Sequence, residues 1–357
     1  MPAKARRKPG TLSKAAALAN AINSTLGTDI RLGNDALFQI VRVPTGSLVL
    51  DRITGGGFAL GRHVEIYGDE SACKSYVAYR AMALAQERGK LCALIDPEHS
   101  FDVRWFAHVG GRPDELLTFH PQNAEDGIAV MMMLAKHAQE HPELEIITVD
   151  SVASLIPTEE ISKDPREEDR IAGQARMMSR ALRRITSLNR SVLFLWTNQE
   201  RVNIGVRFGN PRTTSGGRAL RFYATTRIEM RKGGVEKTKR RVAARGKLVE
   251  REVSTARWIQ CRVEKDKSTR PYREGSFLFD SGIGSIDVAS EIVNLGLEDE
   301  IIERVGQTLV YEDVEGQAWK GTVNRFYKML RENEELQDEL ISVIADNTVR
   351  QSTYGED

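Results

Sequence analysis

Four short apolar segments alternate with longer amphipathic segments between residues 63 and 199 of the chain. The apolar segments are HVEIYG (63–68), LCALID (91–96), LEIITVD (144–150) and SVLFLWTNQ (191–199). Strands that are almost wholly apolar and alternate with helices are typical of a parallel sheet that helices cover on both faces. The pattern therefore predicts an α/β fold, built on a mainly parallel sheet, for this part of the chain.

The N-terminal segment predicts a short helix followed by a strand. Residues 11–26 carry Ser13 as a candidate helix cap, and three apolar residues then fall on one helical face: Leu18, Ile22 and Leu26. A short strand is expected at 37–41. Both elements either pack on their own domain or dock on a neighbouring chain.

The pattern changes after residue 222. The segments ATTRIEMRK, ARWIQCRVEKDK and GSFLFD predict an antiparallel extension of the sheet. The charged segment KGGVEKTKRRVAARGKLVERE predicts a hairpin, whose basic part either lies in solvent or contacts duplex DNA. Helix signals dominate from about residue 284. We therefore expect three parts: a basic tail with a helix and a strand (1–44), a core (45–283) and a small C-terminal domain (284–357).

Charge and cysteine content exclude some classes of protein and leave others open. Lys and Arg number 51 and Asp and Glu number 50, so the net charge neither favours nor excludes nucleic acid. The three cysteines are odd in number and far apart, which argues against a disulfide framework or a zinc site and suits a reducing cytoplasm. No apolar run approaches the ~20 residues of a membrane span, so we expect a cytoplasmic protein without a membrane partner.

The octet GDESACKS (68–75) lies between a predicted strand and a predicted helix. It fits the phosphate-loop pattern G-x-x-x-x-G-K-[ST] except that Cys73 replaces a glycine. In such a loop, backbone N–H groups surround the phosphates, the lysine reaches the terminal phosphates and the hydroxyl binds Mg²⁺. A small residue with helical dihedrals can replace the glycine. The alternative, a chance match with Lys74 in solvent, loses weight if partner residues exist.

Partner residues occur at the ends of the neighbouring predicted strands. Asp150 ends one strand and can hold Mg²⁺, and Glu98 follows another and can polarise the attacking water. The alternative for Glu98 is that it caps a helix. Asn198 and Gln199 end a further strand, where an amide can sense the γ-phosphate.

Five blocks in order carry a resemblance to a known family: IDPEHSFD, VDSVASLIP, ARMMSRALR, NQERVNIGVRFGNPRTTSGGRALRFYA and VEKDK. Together they resemble the bacterial RecA recombinase family, in a divergent form of bacterial or phage origin. The similarity extends from TGSLVLDRITGGGFALGRHVEIYG through the C-terminal unit. It implies a RecA-like P-loop ATPase core with a short N-terminal arm and a small C-terminal α/β domain.

The resemblance also implies the roles of individual residues in ATP binding and hydrolysis. ATP contacts fall on Gly68, Asp69, Glu70, Ser71, Ala72, Cys73, Lys74, Ser75, Tyr76, Asp102, Trp105 and Asp150. Ser75 and Asp150 would hold Mg²⁺, and Glu98 would be the general base. Gln199 would couple the γ-phosphate to the DNA-binding loop. Lys265 and Lys267 would reach the ATP of a neighbouring subunit; the alternative is an ordinary exposed strand.

DNA contacts follow from the same resemblance. The segments 158–175 and 200–217 resemble two DNA-binding loops. The residues implied to contact phosphates are Arg176, Ser179, Arg183, Gly216 and Gly217. Contacts to the DNA backbone without contacts to base edges mean binding that is independent of sequence. The alternative for the glycine-rich segment is a flexible surface loop.

The implied function is an ATP-dependent homologous recombination protein. It would form a helical filament of its own copies on single-stranded DNA, pair that strand with homologous double-stranded DNA and exchange strands, as a DNA-dependent ATPase with Mg²⁺. The alternative is a nucleotide-gated DNA-binding or regulatory protein on the same fold, in which the loop with Cys73 binds ATP with weak or no hydrolysis. A hexameric ring helicase would not explain the FGNPRTTSGG block.

Overall fold

A computed structural model describes residues 13–35, 38–162, 172–202, 212–244, 247–313 and 315–352. The chain forms two compact units, Met1–Val41 and Arg42–Asp357. Within the described ranges, every helix lacks either the length or the apolar character that crossing a bilayer requires.

The first unit contains the predicted N-terminal helix, α1 (Lys14–Leu26). The Ser13 hydroxyl accepts a hydrogen bond from the backbone N–H of Ala16 at 3.1 Å, which confirms the predicted cap. The predicted strand at 37–41 stays a prediction, because residue 37 lies outside the described residues and residues 38–41 form no strand within this chain. A strand needs a second strand for its backbone hydrogen bonds, and these four residues have none in the described chain.

The strands of the second unit are β1 (Arg42–Val43), β2 (Phe58–Ala59), β3 (His63–Gly68), β4 (Leu91–Ile95), β5 (Leu116–Phe119), β6 (Leu144–Val149), β7 (Leu193–Val202), β8 (Arg212–Thr214), β9 (Thr226–Ala244), β10 (Lys247–Asp266), β11 (Glu274–Asp280), β12 (Ser285–Ile286), β13 (Glu303–Val305), β14 (Thr308–Glu312) and β15 (Ala318–Thr322). Its helices are α2 (Leu48–Thr54), α3 (Lys74–Glu87), α4 (Val103–His108), α5 (Ala124–His137), α6 (Thr158–Ile161), α7 (Ala172–Leu188), α8 (Ala219–Tyr223), α9 (Val288–Glu298), α10 (Val323–Glu332) and α11 (Glu334–Ser352).

The central sheet confirms the predicted α/β fold. Its strands run in the order β12-β11-β10-β9-β3-β7-β6-β4-β5, and β8 pairs with β7. The six strands from β9 to β5 in this order are parallel, and β10, β11 and β12 continue the sheet in antiparallel fashion. The sequence pattern missed β5, which has four residues and lies at the sheet edge, where Leu117 is exposed.

Helices cover the sheet on both faces, and each face has its own apolar core. One core contains α3 together with α2, α9 and α11, and its buried residues include Val77 and Ile292. The second core lies under α5 and α7 and includes Met131 and Leu182. The parallel strands between these two cores have both faces buried, which explains why their sequences are almost wholly apolar.

The charged segment after residue 230 forms the predicted hairpin, but no loop separates it from the sheet. It continues β9 and β10 as a two-stranded ribbon that pairs from Thr226–Asp266 to Ala244–Lys247. Register shifts within β10 interrupt the pairing at three places. Strands bend and twist at such irregularities, so the ribbon can leave the plane of the sheet.

The C-terminal segment combines helices with the small sheet β13-β14-β15. Leu336, Leu340 and Ile344 of α11 are buried in the same core as Leu50 and Ile53 of α2. The segment after residue 284 therefore packs directly on the first face of the ATPase-like core.

A buried carboxylate joins α9 to the start of α2. Glu291 accepts hydrogen bonds from the Ser47 hydroxyl at 2.5 Å and from the backbone N–H of Leu48 at 3.1 Å and of Val49 at 3.3 Å. Its side chain thus satisfies donors at the helix N-terminus that would otherwise be unpaired. Burial raises the pKa of Glu291 from 4.5 to about 7, although these hydrogen bonds oppose the shift.

The raised pKa predicts a specific pH dependence of stability. The folded state binds the proton of Glu291 more tightly than the unfolded state does. This tighter binding stabilises the folded protein fully below pH 4.5, and the stabilisation is lost as the pH rises through about 7. Glu291→Gln mimics the protonated form. We therefore expect the wild-type protein to lose about 3 kcal/mol relative to this variant between about pH 5 and about pH 8. Urea unfolding across that range measures the difference.

Glu298→Gln is the control, because Glu298 is exposed on the same helix. Its stability should follow the wild type at every pH. A constant difference between the wild type and Glu291→Gln would contradict the prediction.

Candidate nucleotide site and nucleic-acid interface

The loop after β3 has the backbone of a phosphate cradle. It leaves the strand at Gly68 and enters α3 at Lys74, so the helix N-terminus faces the loop. Gly68 has φ 137°, and a Cβ there would lie 2.0 Å from the carbonyl oxygen of Met230. Only glycine fits this position. The octet thus connects a strand to a helix, which is the context that phosphate binding requires.

Cys73 adopts φ 62° and ψ 21°, in the left-handed region. The expectation of helical dihedrals at this position is therefore wrong. Glycine enters this region without a steric cost, whereas a residue with a Cβ pays about 1 kcal/mol. Burial raises the pKa of the Cys73 thiol to about 12, so the thiol is protonated near neutral pH.

The left-handed backbone predicts the order of stability of two variants. Cys73→Gly should be more stable than Cys73→Ala by about 1 kcal/mol, because only alanine retains a Cβ at positive φ. Chemical denaturation of both variants measures the difference. The same pair at Cys92, inside β4, is the control and should show the opposite order, because glycine weakens a strand. Equal stability of the two Cys73 variants would contradict a steric cost of the left-handed backbone at this position.

Lys74, Ser75 and Asp150 meet beside the loop. The Lys74 ammonium donates to the carbonyl oxygens of Gly68, at 3.4 Å, and Asp69. The Ser75 side chain hydrogen-bonds Asp150, which is 4% exposed. Burial raises the pKa of Asp150, and a 2.5 Å hydrogen bond from the Thr197 hydroxyl opposes that shift. The predicted lysine, hydroxyl and acid are thus brought together.

Glu98 lies at the same edge of the sheet and is exposed. Its Oε1 accepts hydrogen bonds from the hydroxyls of Ser151 and of Ser154, the latter at 3.4 Å. The alternative of helix capping is wrong for Glu98, because Asp102 caps α4. Sequence reasoning gave neither serine a role, although Ser151 directly follows the predicted metal acid and Ser154 lies three residues further on.

Asp96 is a further acid that sequence reasoning missed. Its side chain is fully buried at the end of β4, where Oδ2 accepts from the backbone N–H of Phe101 at 2.9 Å and pairs with Nδ1 of His120 at 3.3 Å. Its Oδ1 has no hydrogen-bond partner among the described residues. A buried acceptor without a donor is costly, so this oxygen favours a cation or a water molecule nearby.

The oxygen ligands at this edge fit Mg²⁺. Within the described ranges, no three His, Cys, Asp or Glu side chains are grouped to hold a metal by themselves. A serine hydroxyl and separate carboxylates instead suit an ion that keeps several waters and shares phosphate oxygens, as Mg²⁺ does.

Gln199 lies beside the phosphate loop, because it pairs with Gly68 in the parallel register of β7 and β3. Asn198 does not share this position. It is fully buried, and its amide donates to Glu65 at 2.9 Å and to the carbonyl oxygen of Ser215 at 3.1 Å. The prediction that either amide can sense the γ-phosphate is therefore corrected to Gln199 alone.

A buried ion pair lies beneath these residues. Arg227 donates to Glu65 at 2.5 Å, and its guanidinium lies 4.4 Å from the ring centroid of Tyr67. Both charged side chains are at most 4% exposed. Through Asn198 the same glutamate reaches Ser215, at the base of the second predicted DNA loop. The phosphate-loop strand and the DNA loop thus share one polar network, which the sequence did not reveal.

The residues that are predicted to contact the adenine also make contacts within the chain. Both hydrogen bonds of Asp102 go to the first turn of α4, and they lower its pKa. Trp105 stacks on His108 with ring centroids 5.4 Å apart. Tyr76 is buried, and its hydroxyl accepts from the backbone N–H of Ile286 at 3.2 Å. The Tyr76 ring therefore belongs to the core, and only its backbone can face a nucleotide.

The remaining loop residues divide between solvent and core. Asp69 accepts a hydrogen bond from the backbone N–H of Lys232 at 3.1 Å, which ties the loop to β9. Glu70 and Ser71 are exposed, and Ala72 is fully buried.

Lys265 and Lys267 lie away from the phosphate loop of their own chain. Lys265 pairs with Arg227, which is level with Glu65, three residues before the loop begins at Gly68. At ~3.3 Å per residue this is about 10 Å along the sheet, in addition to the sideways separation of the strands. Burial, and then the charge of Lys267, lower the pKa of Lys265 to about 8.

Both ammonium groups bind the C-terminal end of α8. Lys265 donates to the carbonyl oxygens of Arg221 at 2.6 Å and Phe222 at 3.1 Å, and Lys267 donates to Phe222 at 3.1 Å. Cations at the end of a helix satisfy its last carbonyls. The alternative of an ordinary exposed strand does not account for this pairing.

The predicted phosphate contacts on α7 share its outer face. Arg176 and Arg183 are exposed and Ser179 is half-buried, while Met178 and Leu182 on the opposite face are buried. The first predicted DNA loop begins with α6, and its residues 163–171 lie outside the described chain.

The second predicted DNA loop is anchored at both ends. Residues Glu200 to Val202 pair with β8, and residues 203–211 lie outside the described chain. A Cβ on Gly216 would lie 2.8 Å from Val152, and one on Gly217 would lie 2.6 Å from Ala175. Gly216 thus packs closely on Val152 and Gly217 on Ala175 of α7, and a freely flexible surface loop would need neither contact.

A cleft of about 700 Å³ adjoins the base of this loop. Six arginines line it: Arg212, Arg218, Arg221, Arg227, Arg231 and Arg262. Three of its other residues are glutamates, so the lining carries more positive than negative charge. Such a surface favours an anionic ligand.

Sequence comparison agrees with this arrangement. The sequence model of the RecA N-terminal domain matches residues 14–284. The chain is 36% identical over 324 residues to Protein RecA of Bacteroides thetaiotaomicron, which covers 89% of this chain and 91% of that protein. It is 36% identical over 321 residues to Protein RecA of Ectopseudomonas oleovorans, and this match covers 89% of this chain and 86% of that protein. The chain belongs to the RecA family. As a member of this family it is an ATP-dependent recombinase and a DNA-dependent ATPase, and the non-hydrolysing alternative is not favoured.

Proposed function

We propose that this protein binds Mg²⁺–ATP in the loop 68–75 of each subunit. We also propose that it assembles as a helical filament on single-stranded DNA, and pairs and exchanges that strand with a homologous duplex. The observation that carries the proposal is the meeting of Lys74, Ser75, Asp150 and Glu98 at one edge of the sheet. A lysine, a hydroxyl, a metal acid and a general base are the set that phosphoryl transfer to water requires.

Each of these residues has a proposed role in hydrolysis. The Lys74 ammonium leaves the carbonyl oxygens of Gly68 and Asp69 and binds the terminal phosphates, while the loop N–H groups from Gly68 to Tyr76 surround them. Glu98 orients the attacking water and accepts its proton. Ser151 and Ser154 hold the carboxylate of Glu98 in place.

The nucleotide brings Mg²⁺, which Ser75 and Asp150 would hold and which neutralises charge on the phosphates. Asp102 and Trp105 would contact the adenine. Gln199, level with Gly68, would report the γ-phosphate to the second DNA loop.

Lys265 and Lys267 are proposed to act on the ATP of the neighbouring subunit. Their distance from their own phosphate loop supports action across an interface. A cation supplied in this way makes hydrolysis depend on assembly, as an arginine finger does. The segment 37–41 is proposed to find its strand partner on the neighbour, and the division at residues 44 and 283 separates the arm and the C-terminal domain from the core.

The proposed contacts to single-stranded DNA are phosphate contacts from Arg176, Ser179, Arg183, Gly216 and Gly217. The exposed arginines of α7 support them. The arginine-lined cleft near Gly217 supports a second, double-stranded partner. We place this activity in the bacterial cytoplasm, which is that of the host if a phage encodes the chain.

The first test measures ATP hydrolysis with and without single-stranded DNA. We expect DNA to stimulate the wild type, and Lys74→Ala and Glu98→Gln to lose at least about 100-fold, because each removes a group that acts on the reacting phosphate or water. The controls are Lys328→Ala and Glu332→Gln, which lie on the exposed face of α10. Hydrolysis that ignores DNA, or DNA binding that needs ATP without any hydrolysis, would overturn the proposal.

The second test asks whether the lysines act across an interface. Glu98→Gln and Lys265→Ala should each be inactive alone. Mixed in equal amounts, they should recover about a quarter of wild-type turnover, since about a quarter of head-to-tail interfaces then combine an intact Glu98 with an intact Lys265. If the mixture stays inactive while both variants bind DNA, Lys265 does not act in trans.

A further inference from the structure

The side chain of Gln174 joins three segments of the chain in the first turn of α7. Its Nε2 donates to the carbonyl oxygen of Val152 at 3.1 Å and to that of Leu155 at 2.9 Å. Its Oε1 accepts a hydrogen bond from the backbone N–H of Gly216 at 3.2 Å. All three hydrogen bonds of this amide therefore go to segments outside α7. None of them stabilises the helix itself.

Two of these contacts are made to the segment whose serines hydrogen-bond Glu98, the proposed general base. Val152 is the first residue of a single helical turn that follows Ser151, and Leu155 is the residue directly after that turn. The hydroxyls of Ser151 and Ser154, which hold Glu98, belong to this turn or adjoin it. A shift of Gln174 therefore moves the backbone that carries the two serines.

The third contact uses the backbone N–H of Gly216, which is a proposed DNA-binding group. A backbone N–H has a single hydrogen and makes one strong hydrogen bond. If a DNA phosphate binds the N–H of Gly216, the Oε1 of Gln174 must give up this bond. The charged phosphate is the stronger acceptor, so the exchange favours DNA. Arg176, two residues further along α7, would contact the same strand.

We propose that Gln174 is a positioning residue that transmits DNA binding to Glu98. DNA at Gly216 releases the Oε1 of Gln174, and the freed amide then moves the turn Val152–Ser154 and with it the hydroxyls that hold Glu98. The inference rests on the proposed function and deepens it, because it names the connection between the DNA loop and the hydrolytic site. Gln174 contacts neither DNA nor ATP in this scheme.

The connection is a coupling free energy, so it can be measured at equilibrium from both sites. A non-hydrolysable ATP analogue should raise the affinity for a labelled single-stranded oligonucleotide by some factor. The oligonucleotide should raise the affinity for the analogue by the same factor. Stimulation of ATP hydrolysis by DNA gives a third measure. Lost packing would lower stability without specifically changing this factor.

Gln174→Met keeps the length of the side chain and removes its hydrogen bonds, and Gln174→Ala removes both. We expect both variants to lower the coupling factor by about five-fold or more. The matched control is Gln139→Ala. The amide of Gln139 donates to the carbonyl oxygen of Leu188 at 2.9 Å, at the far end of α7. This control should keep the wild-type factor. Melting temperatures of all four proteins report any loss of packing.

The outcomes separate this inference from the proposed function. A lower coupling factor in both Gln174 variants, with Gln139→Ala unchanged, supports the inference. Wild-type coupling in Gln174→Met overturns it and leaves the proposed function standing, as does an equal loss in Gln139→Ala. A wild-type protein whose ATP binding and hydrolysis ignore DNA overturns the proposed function, and the inference falls with it.

Discussion

The parallel alignment of β3, β4, β6 and β7 determines where the chemistry of this protein lies. Parallel strands end at the same edge of a sheet, so the residues that follow them meet although they are far apart in the chain. Lys74, Glu98 and Asp150 follow such strands, and Gln199 lies where the parallel pairing of β7 with β3 ends. The two apolar cores fix the sheet from both sides and give this edge a stable shape.

Much of this arrangement could be predicted from the sequence, because strand ends and the phosphate-loop spacing are local patterns. GDESACKS predicted the loop, and the strand ends predicted Glu98 and Asp150. The contacts of Ser151 and Ser154 with Glu98 could not be predicted, since they depend on how a turn after one strand faces a loop after another. The backbone of Cys73 was also mispredicted, because its left-handed conformation follows from the path of the whole loop.

Buried polar groups account for the other differences between pattern and structure. Asn198 looked like a free amide at the end of a strand, but Glu65 and Ser215 occupy it. Glu65, Arg227 and Glu291 sit inside apolar or charged segments that give no local sign of their partners. Breaking such buried pairs is costly, because it leaves a polar or charged group without compensation. These residues therefore fix how strands and helices meet, and sequence periodicity does not report that.

The close packing of Gly216 on Val152 and of Gly217 on Ala175 has a consequence for the DNA itself. Because Val152 and Ala175 leave no room for a Cβ, the loop backbone at Gly216 and Gly217 keeps a fixed spacing from the backbone of α7 that carries Arg176. In the proposed complex, a strand satisfies both only if its phosphates have the matching separation. The protein then measures the extension of the DNA backbone, whatever its bases, and a strand that is stretched or compressed away from this length binds less well.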